Sequence, residues 1–462
     1  MSFTVLSDEQ VRSVLEDLTL DELDEFRHVL SSALHQFSKN PRAVPVEPYQ
    51  QPQYATTLHP DSKATTLYIP CAGPEGIACK VISRTTPDII NNESVKRIAP
   101  TGVVNLFSPD GQPVGLVQAS TLTAFRTALG SACLLSRRNH VKTLTVFGSG
   151  SQAYWHIRLA LKMRGSSIKH VNIINHRFSD SAGSILRHLM GVPSHIRSKE
   201  GWANTKFAML TPSFHDFERL QAENILNADV IYCCTPSTVE LFDGEILTTH
   251  EGRKKGRLIV AVGSVTPNMR ELPETVLRQA TKKHDKPHRH FHKHADEGGV
   301  IVVDTIDGVL KESGEIISAS IGPTQLVELG ELVMLHHLAN DDSESSTVSS
   351  GASTTASERT SLSIDGRAMS TVYGDEPRPK SPATSISSDS QKKKFLVHFR
   401  KNSNSSSDQG EKKKEDSLVR WLRDGTVIYK SVGIGLMDLS VGFHLLKVAS
   451  EKNLGTQIPN FT

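Results

Sequence analysis

Val141-Lys142-Thr143-Leu144-Thr145-Val146-Phe147-Gly148-Ser149-Gly150-Ser151-Gln152-Ala153-Tyr154-Trp155-His156-Ile157-Arg158-Leu159-Ala160-Leu161-Lys162-Met163 decides the fold of this chain. An apolar, β-branched run ends in a Gly-x-Gly-x-x-Ala turn and opens a helix, the pattern of a dinucleotide-binding strand–turn–helix. Gly148 permits the tight turn, Gly150 lets the backbone approach a pyrophosphate, and Ala153 is small enough for the helix to pack on the strand. Ser149, Ser151 and Gln152 complete the turn, and the helix N-terminus presents backbone N–H groups to an anion.

Strands and helices alternate on the C-terminal side of this unit, as a doubly wound sheet requires. His170–Asn175 reads as the second strand, and Asp229–Cys234, Arg257–Val262 and Val300–Val303 as later ones. Thr235-Pro236-Ser237 and Gly263-Ser264-Val265 fall at strand C-termini, the edge at which open α/β sheets bind ligands. The second strand runs into Asn175-His176-Arg177, with no acid before Asp180. An acid there would bond a ribose 2′-hydroxyl, whereas basic residues suit a 2′-phosphate, so NADP(H) is expected over NAD(H).

On the N-terminal side, Ser7 with Gln10 and Thr19 with Glu22 have capping-box spacing, predicting two short helices before about Lys39. Ala43 to Val117 reads as short strands broken by turn residues. In this region Lys80 lies between Cys79 and Val81, with Ala78 and Ile82 as same-face neighbours on a strand. Such a lysine either snorkels to water or sits in a pocket with a lowered pKa, where it can act as acid or base. Ser120–Leu135 reads as a helix of small and apolar residues. Near its start Arg126 serves either a surface ion pair or a fork for a carboxylate or phosphate.

The 462 residues leave room for two or three domains, and a net charge of +2 argues neither for nucleic acid nor for a membrane surface. Five cysteines without CxxC spacing suit free thiols in a reducing compartment. No leader-like segment or membrane-length apolar run is evident, so a cytoplasmic protein is expected. The histidines at 284, 288, 290, 292 and 294 suggest a metal, but Lys283, Lys286, Arg289 and Lys293 would repel a cation, and a solvated loop is the preferred reading. Residues 340–417 are rich in Ser, Thr and charge and poor in apolar residues, which predicts disorder; Ser381-Pro382 is a candidate phosphorylation site there. From Leu418 apolar patterning resumes, and this tail is expected to dock on the first domain.

The motifs together resemble the ornithine cyclodeaminase and mu-crystallin family, particularly its fungal branch. The resemblance rests on Leu122–Ala128, Val146–Ala153, Ala228–Ile231 with Thr235–Ser237, Val262–Ser264 with Pro267 and Arg270-Glu271-Leu272, and Lys430–Gly433 with Asp438. It implies an α/β fold: a Rossmann dinucleotide-binding domain (121–339) with a discontinuous α+β substrate and dimerisation domain (1–120 and 418–462) and a disordered insertion (340–417). It implies a homodimer acting on a small amino-acid or imino-acid substrate, with Lys80 as catalytic lysine and Arg126 as carboxylate-binding arginine. Thr127, Thr235, Pro236, Ser237 and Gly263 are implied to line the cofactor with the glycine turn and Asn175-His176-Arg177.

Two positions depart from the family. A second substrate arginine often follows a Gln-Pro pair, and here Gln51-Pro52-Gln53 is followed by Tyr54. Cyclodeaminases carry an aspartate where this chain has Val265, and losing it removes a base that chemistry on an amine would want. An NADPH-dependent reductase of cyclic imines or ketimines is therefore the favoured expectation. The alternatives are an amino-acid cyclodeaminase releasing ammonia, and a non-catalytic NADPH or small-ligand binder.

Overall fold

The computed structural model describes residues 3–39, 49–85, 100–282, 300–332 and 417–461. The low-complexity segment, save its last residue, and the His284–His294 cluster lie outside the described residues.

The N-terminal half builds a seven-stranded sheet from β1 (Phe3–Leu6), β2 (Ala55–Leu58), β3 (Ala64–Gly73), β4 (Gly76–Thr85), β5 (Thr101–Phe107) and β6 (Pro113–Gln118), with a last strand supplied by the C-terminus. β2 to β6 run as an antiparallel meander, whereas β1 joins β6 in parallel. Both capping boxes form ahead of α1 (Asp8–Glu16) and α2 (Leu20–Lys39): Gln10 N donates to Ser7 Oγ at 3.3 Å, and Glu22 N to Thr19 Oγ1 at 3.2 Å. The second helix, 20 residues long, exceeds the short one predicted.

α3 (Ala119–Leu135) is buried almost all round, as its uniformly small and apolar sequence requires of a helix enclosed by other elements. It leads into β7 (Thr143–Phe147), the glycine turn and α4 (Ser151–Arg164). The remaining strands are β8 (His170–Ile174), β9 (Lys206–Leu210), β10 (Val230–Cys233), β11 (Leu258–Ala261), β12 (Ile301–Val303), β13 (Leu326–Glu328) and β14 (Val427–Lys430), with β15 (Thr456–Ile458) pairing antiparallel to β1 in the first sheet.

The second sheet is parallel throughout, in the order β13-β12-β14-β11-β10-β7-β8-β9. β10 and β11 are buried at every position, which explains why they read as continuous apolar runs rather than alternating ones. Order reverses between β7 and β10. Their C-terminal ends therefore flank the crevice where this architecture binds ligands. The fold is a Rossmann sheet joined to an α+β unit.

The C-terminal tail differs from expectation. It first enters the parallel sheet as β14, between β11 and β12, and only then returns to the first sheet through the helix Gly435–Glu451 and β15. One apolar cluster runs from Leu6 and Val104 in the first sheet through Phe125 and Trp155 to Val146 and Tyr232 in the second. Phe125 and Trp155 meet edge to face at 5.3 Å. Each such fully buried large side chain contributes about 1.5–3 kcal/mol, so the two sheets share a core.

Candidate active site

Lys80 occupies a central position of β4, opposite Ile69 on one side and Val104 on the other. The C-terminal helix packs over this face of the sheet. Lys80 is 3% exposed and does not snorkel; its Nζ donates to both carboxylate oxygens of Asp438 at 3.3 Å. Burial pushes its pKa down to about 8, against the pull of Asp438, while the nearby Arg126 adds to the lowering.

Arg126 is also buried, at 5% exposure, which excludes the surface ion pair. Its Nε donates to Asp438 Oδ1 at 3.3 Å, and one terminal nitrogen lies 3.4 Å from Met437 Sδ. Gly433, at φ +84°, makes room for it: a Cβ there would come within 2.8 Å of both terminal nitrogens. Two buried cations thus share one carboxylate. Asp438 appeared in the sequence only as part of a motif, and no local signal assigned it a partner in β4. Gln51 accepts from Leu436 N at 3.0 Å and so holds the start of the same helix. Tyr54, after the Gln-Pro pair, is 40% exposed, and Val265 is half-buried.

The glycine turn stands at the switch point. Gly148 has φ +102°, and a Cβ there would lie 2.8 Å from the Cys234 carbonyl oxygen. A Cβ on Gly150 would meet nothing within 4 Å, no side chain caps the start of α4, and Ala153 is fully buried beneath it. This cradle fits a pyrophosphate: the backbone is approachable, and the first-turn N–H groups face it. Ser149 and Gln152 flank the turn half-buried, with Ser151 exposed. Asn175 Nδ2 donates to the Arg177 carbonyl at 2.9 Å, folding the end of β8 so that His176 and Arg177 stand exposed. Thr127 is buried in α3 and donates to the Thr123 carbonyl at 2.8 Å.

The loops after β10 and β11 are tied to each other by Glu271. Its Oε1 accepts from Thr235 N at 2.7 Å and Thr235 Oγ1 at 3.0 Å; its Oε2 accepts from Gly263 N at 2.7 Å and Ser264 N at 3.2 Å. Pro236 is exposed, and Ser237 donates to the Val239 carbonyl at 2.6 Å. From Ser264 the contacts continue through Lys430 to Ser431, whose hydroxyl donates to the buried Asp304 at 2.8 Å. Asp304 also accepts from Gly433 N at 2.6 Å, beside Arg126. These hydrogen bonds, with the backbone of residues 430–433, connect the C-terminal edge of the parallel sheet to the surroundings of Arg126. Sequence reasoning gave Glu271, Asp304 and Lys430 no role; for Asp304 and Lys430 a charge at the end of an apolar strand was the signal available.

Among the described residues no group of His, Cys, Asp or Glu is arranged to hold a metal ion. No helix among them is long and apolar enough to cross a membrane.

No family model matches the chain. An uncharacterized protein of Saccharomyces cerevisiae is 26% identical over 357 residues, 72% of this chain and 86% of its own. A Delta(1)-pyrroline-2-carboxylate reductase of Bacillus cereus is 25% identical over 66% of this chain and 78% of its own. The ketimine reductase mu-crystallin of Mus musculus is 27% identical over 50% of this chain and 58% of its own. Among solved structures, a Thermococcus litoralis Delta(1)-pyrroline-2-carboxylate reductase in complex with NADH and L-proline superposes with a TM-score of 0.56 at 17% identity, covering 99% of this chain and 100% of that one. In its Rossmann sheet, its α+β unit and these alignments, the chain is similar to Delta(1)-pyrroline-2-carboxylate reductases and to ketimine reductase mu-crystallin.

Proposed function

We propose that the protein is an NADPH-dependent reductase of cyclic imines or ketimines derived from small amino acids. The observation that carries this reading is the buried Lys80–Asp438–Arg126 group, beside Gly433 and the Asp304 at the end of β12 that holds it. The glycine turn with Ser149, Ser151 and Gln152 would hold the pyrophosphate, Arg177 with Asn175 and His176 the 2′-phosphate, and Thr127, Thr235–Ser237 and Gly263 the nicotinamide side. The bound cofactor would supply a hydride to the imine carbon.

Arg126, its Nε fixed by Asp438 and one terminal nitrogen against Met437 Sδ, would use its remaining terminal N–H groups to grip the substrate carboxylate and set the ring's orientation. Lys80, still largely ammonium at neutral pH, donates a proton to the imine nitrogen, which makes the carbon more electrophilic; solvent then restores that proton. Asp438 keeps Lys80 charged in a site where burial alone would neutralise it. Val265 adds no carboxylate to activate water, which favours reduction over release of ammonia.

Oxidation of NADPH with a panel of cyclic ketimines tests this reading. Turnover of at least one supports it. Ammonia release from ornithine or lysine without net NADPH oxidation would show a cyclodeaminase instead, and binding of NADPH with turnover of none would leave a ligand-binding protein.

We further propose a homodimer. The face of the first sheet opposite the C-terminal helix leaves Tyr68 37% and Ile77 40% exposed, apolar surface that a second copy would cover. Light scattering checks it. A cytoplasmic setting would suit the free cysteines at 71, 79, 133, 233 and 234.

A further inference from the structure

Glu271 is fully buried beneath the loops that carry Thr235 and Gly263, and its carboxylate accepts from Thr235, Gly263 and Ser264 on those loops. At this point the loops touch, since a Cβ on Gly263 would fall 2.1 Å from the Thr235 carbonyl oxygen. A second buried carboxylate stands behind it. Glu315 accepts from Glu271 N at 2.7 Å, Leu272 N at 3.1 Å and Ser264 Oγ at 2.9 Å. Lys430, fully buried, lies 2.9 Å from Glu315 Oε1 and donates to the Ser264 carbonyl at 2.6 Å. Within this cluster two carboxylates face one ammonium. When all are ionised, one negative charge is left over. It resides on the Glu271 side, because Lys430 pairs with Glu315.

The mechanism above does not use this charge, and keeping it buried is costly. Burial pushes the Glu271 carboxyl up to about 7, with Lys430 pulling it down and Glu315 adding to the rise. The backbone N–H groups of Thr235, Gly263 and Ser264 are what hold it there as an acceptor. A nicotinamide ring is cationic when oxidised and neutral when reduced, so a fixed anion behind the loops that flank it acts on one redox state and not the other.

We propose that Glu271 is a positioning residue that also sets the redox preference of the nucleotide site, its buried charge favouring NADP⁺ over NADPH and so easing the loss of hydride. The inference rests on the cofactor reading given above. It concerns binding, and its readout does not require turnover.

The test is the dissociation constant of each nucleotide, measured by calorimetry at pH 8.5 on the full chain, for the parent, Glu271→Gln and Glu271→Asp. Removing this unit charge is expected to raise the NADP⁺-to-NADPH ratio of dissociation constants in Glu271→Gln roughly five- to twenty-fold. Glu271→Asp keeps the charge and is expected to keep the parent ratio, even where both affinities fall. The ratio is insensitive to the fraction of protein folded. Should Glu271→Gln not fold at all, Glu315→Gln removes charge from the same cluster and is expected to move the ratio in the same direction. Binding of both nucleotides with a ratio unchanged within about two-fold, or an equal change in Glu271→Asp, overturns this inference alone. A parent protein that binds neither nucleotide overturns the cofactor reading and this inference with it.

Discussion

Replacing Asp438 with Asn keeps the shape of the side chain and removes the one carboxylate shared by Lys80 and Arg126. Burial already pushes Lys80 down to about 8 while Asp438 opposes it, so without that opposition the lysine falls further. An opposite charge at this range is worth about 1–3 pKa units, which puts the variant's lysine near 6 for a shift of about two. At pH 7.5 a group titrating near 8 is about three-quarters protonated, and one near 6 about 3 per cent, so a step needing the ammonium slows about twenty-fold. The direction of rescue follows. Below about pH 5.5 the variant's lysine is again mostly protonated, and its rate is expected to recover to within a few-fold of the parent. The assay is the pH profile of kcat for NADPH oxidation with saturating imine, alongside the melting temperature. Some loss of stability is expected, since breaking a buried ion pair costs about 3–5 kcal/mol. An alkaline limb that stays where it is in the parent, with a uniform loss at every pH, would refute the role given to Asp438 and to Lys80 as proton donor.

Arg126→Lys is expected to raise KM for the imine about ten- to one hundred-fold, with a smaller change in kcat, because a point charge replaces a fork whose Nε is already anchored; steady-state kinetics check this, and an unchanged KM would contradict it. Gly148→Ala places a Cβ against the Cys234 carbonyl at φ +102° and is expected to destabilise the fold by about 1–2 kcal/mol and to weaken NADPH binding, read by thermal melting and nucleotide fluorescence. Arg177→Ala is expected to weaken NADPH by about ten-fold or more and to leave NADH nearly unchanged; equal losses for the two nucleotides would remove Arg177 from the 2′-phosphate site.

The parts of this fold that were legible in the sequence are those written locally. The glycine turn is bracketed by a strand and a helix within one stretch, and β10 and β11 carry unbroken apolar runs because both their faces are covered. Lys80 stood out against the apolar residues around it, and Asn175-His176-Arg177 followed directly from the end of β8. Pairings made over long separations were not legible. Asp438 meets Lys80 from 358 residues away, and β14 reaches the middle of the parallel sheet from beyond the low-complexity segment. Strand β1 was missed because it is only four residues long, and β9 because Lys206-Phe207-Ala208-Met209-Leu210 holds no β-branched residue. The buried acids behind the nucleotide loops look, in sequence, like any surface glutamate. Only the enclosure of Glu271 and Glu315 by backbone N–H groups distinguishes them.

The central claim is that hydride passes to the carbon of an imine held between Arg126 and Lys80. Mass spectrometry of the product formed from Δ1-pyrroline-2-carboxylate and NADPH deuterated at both C4 positions tests it most directly. The account predicts proline carrying one deuterium at its α-carbon, with the yield falling sharply when Lys80 is replaced by Met and any residual product still labelled. Unlabelled proline, or no reduced product from this or any other cyclic ketimine while NADPH binds, would contradict it.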